Sequence, residues 1–209
     1  MTARHPALFM FAALVLMLAP LSPASAQDKP AGPPQKFGDL PDSPDPVHYT
    51  SPEGEFTVTF PAGCGRLYTK MNGMPGDSVA VDVRLVFVNC ERDRANHEGC
   101  QVNVRLGAAR ELKGQAATDM VLAEVRKLLD GYGVVPGRQR PVRADFGAHG
   151  VVEGIEILAH PQSGAGDVWI RGLLRGDDAY FLVAWKANGG LMEDPAYGEF
   201  FQSFKPWAE

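Results

Sequence analysis

The sequence predicts an α+β fold: an antiparallel sheet of about six to eight strands, packed by one central helix and a short C-terminal one. Three observations lead there. Short runs with period-two alternation recur along the chain, separated by glycine- and proline-containing turns. One stretch, Gln115 to Tyr132, switches to helical spacing. The chain then closes on Asp194-Pro195, a helix-start signal, followed by Phe200, Phe201 and Phe204.

The elements follow in order. Residues 1–26 read as a secretory signal peptide: a short basic start at Arg4 and His5, an apolar run from Ala7 to Leu18, and the small-x-small pattern Ala24-Ser25-Ala26. The apolar run is short for a membrane span, and no cysteine lies near the cleavage point. The expectation is a soluble periplasmic protein, without membrane insertion once the signal is removed. Residues 27–47 carry six prolines between 30 and 46 and few apolar residues, the composition of an extended, disordered linker. Residues 48–207 are expected to form a single α+β domain with one core.

Within that domain, Glu55 to Phe60 alternates as a half-buried strand with Phe56, Val58 and Phe60 on one side. Arg66 to Lys70 suits a second strand, and 71–78 reads as turn material. Val79–Cys90 and Cys100–Leu106 are expected to pair as a hairpin. The helix at Gln115–Tyr132 places Ala117, Val121, Val125, Leu128 and Leu129 on one face, with glycines at 131 and 133 to stop it. A meander follows: Pro141–Phe146, Val151–Ala159, a strand from Val168 to Arg175, and Tyr180–Lys186. Turns this short impose antiparallel pairing. Arg175-Gly176-Asp177 matches an adhesion tripeptide, and here it reads as a hairpin turn.

The opening strand Ser51–Pro61, the central helix, the meander ending at Ala179–Trp185 and the closing Phe200–Lys205 together resemble the PsbP-like family. That family includes the extrinsic PsbP protein of photosystem II and exported bacterial proteins of unknown role. The resemblance covers about residues 48–206 and rests on the aromatic-rich first strand and on Ser203-Phe204. It implies an α/β/α sandwich and an accessory or binding role, and it brings no catalytic motif. The loop bracketed by cysteines, Asn89–Cys100, is a departure from the family.

That loop is the main candidate for chemistry. Cys64, Cys90 and Cys100 with His97 have the composition of a zinc site, but Cys90-x6-His97-x2-Cys100 is not a common ligand spacing. In an oxidising compartment nearby thiols form disulfides, and pairing of the two strands sets Cys90 and Cys100 opposite each other. A Cys90–Cys100 disulfide is therefore expected, a bridge from Cys64 to either being the alternative. Cys64 is then the free thiol: inert if buried, available to a partner if exposed. Met71 and Met74 are soft copper(I) ligands but make a poor set.

Nothing matches a known catalytic or nucleotide signature: no His-Glu-x-x-His, no Gly-x-Ser-x-Gly, no phosphate loop. Ser163 near His160 carries no weight alone. The net charge of −5 disfavours nucleic acid. Trp169, Arg171 and Arg175 alternate along one strand, with Glu153 or Glu156 opposite. They form either a salt-bridged solvent face or a binding patch. The expected function is an exported, non-enzymatic binding or accessory protein. It would need no cofactor or metal, and its partner would be another envelope protein or a small ligand. The alternatives are a hydrolase-like enzyme with an unrecognised site, and a metal carrier using Cys90, His97 and Cys100.

Overall fold

The computed structural model describes residues 44–64, 66–72, 84–93, 95–161 and 166–207. The expected signal peptide 1–26 and the linker as far as residue 43 lie outside these residues. So do Met74, the 79–83 part of the hairpin and Ser163. The described elements are β1 (Val47–Ser51), β2 (Phe56–Phe60), β3 (Arg66–Asn72), β4 (Arg84–Asp93), β5 (Glu98–Leu106), α1 (Gln115–Tyr132), β6 (Val134–Asp145), β7 (Val151–Pro161), β8 (Asp167–Arg175), β9 (Asp178–Lys186) and α2 (Pro195–Ser203).

β3 to β9 form a seven-stranded antiparallel sheet in the order β3-β4-β5-β9-β8-β7-β6, and β1 and β2 form a separate hairpin. The order follows from the chain path. After β5, α1 carries the chain across the sheet to its far edge at β6. The meander then works back until β9 fills the place beside β5. β6 is longer than the expected Pro141–Phe146 strand. An edge strand tolerates Pro136 and Pro141 because the missing amide can face away from the ladder, and a register shift between Pro136 and Gln139 absorbs the misfit.

Both faces of the sheet are covered. On one face α1 buries Val121, Val125 and Leu129 against Ile157, Ile170, Phe181 and Val183. Gly172 permits this approach: a Cβ there would come within 2.8 Å of the methyl groups of Val121 and Val125. Gly133 closes α1 in the left-handed region (φ 64°), its amide reaching the carbonyls of Asp130 and Leu129. On the other face the β1–β2 hairpin and α2 lie over Val88, Val102, Leu173, Tyr180 and Leu182. Asp194 caps α2 by accepting a hydrogen bond from the Ala196 amide (3.1 Å), with Pro195 in the first turn. Phe200 and Phe204 then meet Phe60 and Phe56 at ring-centroid distances of 5.5 and 5.8 Å. Thr57 and Lys205 exchange backbone hydrogen bonds of 2.9 Å, which fixes the tail of α2 to β2.

Candidate functional site

The expected patch of Trp169, Arg171 and Arg175 is corrected by the structure. It faces α2, not solvent. Trp169 is 6% exposed and stacks on Phe201 at 4.1 Å. Arg171 donates from Nη1 to the Phe201 carbonyl (2.6 Å) and from Nε to Glu156 (2.7 Å), its register partner across β7 and β8. Glu156, itself buried, also receives Arg140 Nε at 2.7 Å. Sequence alternation correctly separates the two faces of β8. It cannot tell that the face carrying arginines is also covered, because half-buried arginines satisfied by a carboxylate and a helix-end carbonyl leave the same pattern as solvated ones. Arg175 alone reaches an opening, while its Nη1 donates to the Pro206 carbonyl (2.6 Å).

The cysteine pairing is corrected as well. The disulfide joins Cys64 to Cys90, with Cα atoms 5.3 Å apart, and Cys100 is the free cysteine. Cys90 and Cys100 do stand opposite each other in the β4–β5 register. But β3 pairs with the other edge of β4, and the turn leading into β3 brings Cys64 to the same buried position. Burial pushes the Cys100 thiol well above its usual range. Cys90, being bridged, offers no thiolate to a set with His97 and Cys100, and His97 is exposed in the β4–β5 turn while Cys100 is fully buried.

At that same end of the sheet lies a compact ionic network. Arg92 Nη1 donates to Glu98 Oε1 (2.9 Å) and Asp194 Oδ2 (3.0 Å). Lys186 reaches Asp194 at 3.2 Å, and the Tyr197 hydroxyl donates to Glu98 at 3.0 Å. Burial pushes the ionisation of Tyr197 far up. Cations and anions satisfy one another here, so the network reads as a lock between α2, β9 and the β4–β5 hairpin. His160 and Asp167 (Nδ1 to Oδ1, 2.7 Å) likewise hold a hairpin end, since Asp167 Oδ2 also accepts the Leu191 amide at 3.0 Å. His149 stacks on Trp207 at 4.1 Å.

The opposite end of the sheet differs. Three chain reversals meet there: the β1–β2 turn at Glu55, the segment after β5 from Leu106 to Arg110, and the β8–β9 turn at Arg175–Asp178. Between them is a cleft of about 480 Å³ lined by these residues, within the size range of small-molecule sites. The Gly107 amide donates to Asp178 Oδ1 (2.7 Å) and the Ala109 amide to the Asp177 carbonyl (2.8 Å), which pins two of the three reversals together. Glu55 sits at φ 52°, a left-handed conformation uncommon for a non-glycine residue. Among the described residues, Glu55, Arg110 and Asp177 make no salt bridge, and all three are exposed.

Beside the cleft lies Tyr180, fully buried in β9. Its hydroxyl is near the Arg175 guanidinium but makes no hydrogen bond of good geometry with any described residue. Burial, reinforced by Asp178, pushes its ionisation up to about 12. A buried hydroxyl without a partner is costly, and this one lies behind three lining residues of the cleft, Glu55, Arg175 and Asp178, without opening into it. In the sequence, Asp177 stands out only within the Arg175-Gly176-Asp177 turn, and Glu55, Arg110, Asp178 and Tyr180 carry no motif. Their only common signal is that they end strands or sit in the reversals between them, and Arg175-Gly176-Asp177 is one of those reversals.

The chain matches no protein-family model, and no curated protein matches it in sequence. Among solved structures it is similar to the solution structure of cyanobacterial PsbP (CyanoP) from Synechocystis sp. PCC 6803. The identity is 14%, the match covers 85% of this chain and 99% of that one, and the TM-score is 0.48.

Proposed function

We propose that this chain is an exported, non-enzymatic binding protein whose ligand site is the cleft between Glu55, Arg110 and the β8–β9 turn. The observation that carries this reading is the contrast between the two ends of the sheet. At one end Arg92, Lys186, Glu98 and Asp194 neutralise one another. At the other, a cleft of ligand size gathers charged side chains, and among the described residues Glu55, Arg110 and Asp177 make no salt bridge. Groups left in that condition contribute binding energy to whatever completes them. The lining contains no serine, cysteine or histidine to serve as nucleophile or neutral-pH base, which favours binding over hydrolysis. Export is supported by the leader-like residues 1–26 and by the Cys64–Cys90 disulfide, since such bonds persist in oxidising compartments.

The test is an NMR titration of the isotope-labelled protein with a filtered small-molecule extract of the expressing cells. Saturable shifts of the Gly107, Gly176 and Asp177 amides are expected. Shifts confined to other parts of the molecule, or none, would overturn the assignment of the cleft.

A further inference from the structure

We propose that the cleft takes a small zwitterion, a molecule of the amino-acid or short-peptide type that carries one carboxylate and one ammonium group. This rests on the cleft being the ligand site. Of its charged residues, Asp178 is engaged by the Gly107 amide, and Arg175 spends one nitrogen on the Pro206 carbonyl. What remains is Arg110 and the rest of the Arg175 guanidinium on the positive side, and Glu55 and Asp177 on the negative side.

These opposite charges share one cleft, yet Arg110 forms no ion pair with Glu55, Asp177 or Asp178. A simple anion meets repulsion from the three carboxylates, since the Gly107 amide leaves Asp178 its charge, and a simple cation meets it from the two guanidiniums. A dipolar ligand satisfies both sets at once. A planar guanidinium suits a carboxylate by bidentate hydrogen bonding, while a carboxylate suits the compact, triply donating ammonium group.

Two further features fit. The left-handed backbone at Glu55 is a local strain of the kind that collects at ligand clamps. Leu106 is the one bulky apolar residue in the lining, so the site favours a ligand with little apolar surface.

The test titrates the full chain with glycylglycine, with N-acetylglycine, which keeps only the carboxylate, and with glycinamide, which keeps only the ammonium. Glycylglycine is expected to shift the Gly107, Gly176 and Asp177 amides. Each single-charge analogue should bind at least about tenfold more weakly, a loss of about 1.4 kcal/mol. Arg110→Ala and Asp177→Asn alter exposed side chains and should each weaken glycylglycine by a similar factor. If either analogue binds as tightly as glycylglycine, the zwitterion proposal is wrong and the cleft reading stands. If the cell extract shifts the cleft amides and glycylglycine does not, the ligand class is again wrong. If neither shifts them, the cleft itself is not the site.

Discussion

Removing the Cys64–Cys90 bridge should destabilise the domain markedly. The bridged residues are 26 positions apart. In the chain-entropy model a loop of that size restricts the unfolded state by about 3.5 kcal/mol, whereas the roughly ten-residue loop of a Cys90–Cys100 bridge would give about 2.7 kcal/mol. Cys90→Ala cannot separate the two pairings, because both use Cys90. Cys64→Ala alone is ambiguous too, since it leaves two thiols facing each other across β4 and β5. The informative comparison is made in a Cys100→Ala background. There, Cys64→Ala should lower the melting temperature under oxidising conditions by about 7–14 °C, from about 2–4 °C per kcal/mol for a domain of this size. With reductant the two proteins should melt within a few degrees of each other. Calorimetry gives the shift, and peptide mapping of the wild-type chain without reduction identifies the bridge. A Cys90–Cys100 cross-linked peptide with alkylated Cys64, or a shift under about 2 °C, would refute the pairing and the path of the turn into β3.

Other predictions follow from single contacts. Glu156→Ala strips the carboxylate from Arg171 beneath α2 and should cost about 3–5 kcal/mol, as breaking a buried pair does; a change below about 1 kcal/mol in urea unfolding would show that Arg171 is well solvated. Gly172→Ala forces a methyl group against Val121 and Val125 and should cost about 1–3 kcal/mol; an unchanged urea midpoint would mean that α1 packs less closely. Burial works against ionisation of Asp194, but the Ala196 amide, Arg92 and Lys186 outweigh it and hold its carboxyl below the usual range. Because the folded value is depressed, this contribution is complete above the unfolded value near pH 4 and is lost as pH falls through the folded one. Asp194→Asn should therefore flatten the acid limb of a stability–pH curve, and a variant whose acid limb matches the wild type would contradict the network.

Much of the fold is legible in the sequence because period and punctuation suffice for it. Gln115–Tyr132 is a helix with the residue bounds that spacing and glycines indicate, and Asp194-Pro195 starts α2 as its residue types require. The meander strands are also readable, although β6 begins earlier because an edge position excuses its prolines. What sequence could not supply was the partner of each face. In β9 every residue from Ala179 to Ala184 is at most 1% exposed, so alternation there separates one covered face from another. Cys90 had two spatially equivalent neighbours, and the choice depends on how the turn after β2 approaches β4. The cleft was the least legible part. Glu55, Arg110 and Asp177 are separated by long stretches of chain, and only the meeting of three reversals makes them one site.

Tyr180→Phe tests the central claim most directly, because it removes only the hydroxyl beside the cleft. If that hydroxyl is unpartnered, the ligand-free variant should be more stable by about 1 kcal/mol, a rise of about 2–4 °C in melting temperature. The same variant should weaken the cleft shifts that the small-molecule extract produces in the wild type, because the lining Arg175 guanidinium loses its neighbour. A less stable variant that still shows those shifts would contradict the account and place the Tyr180 hydroxyl in the structural framework instead.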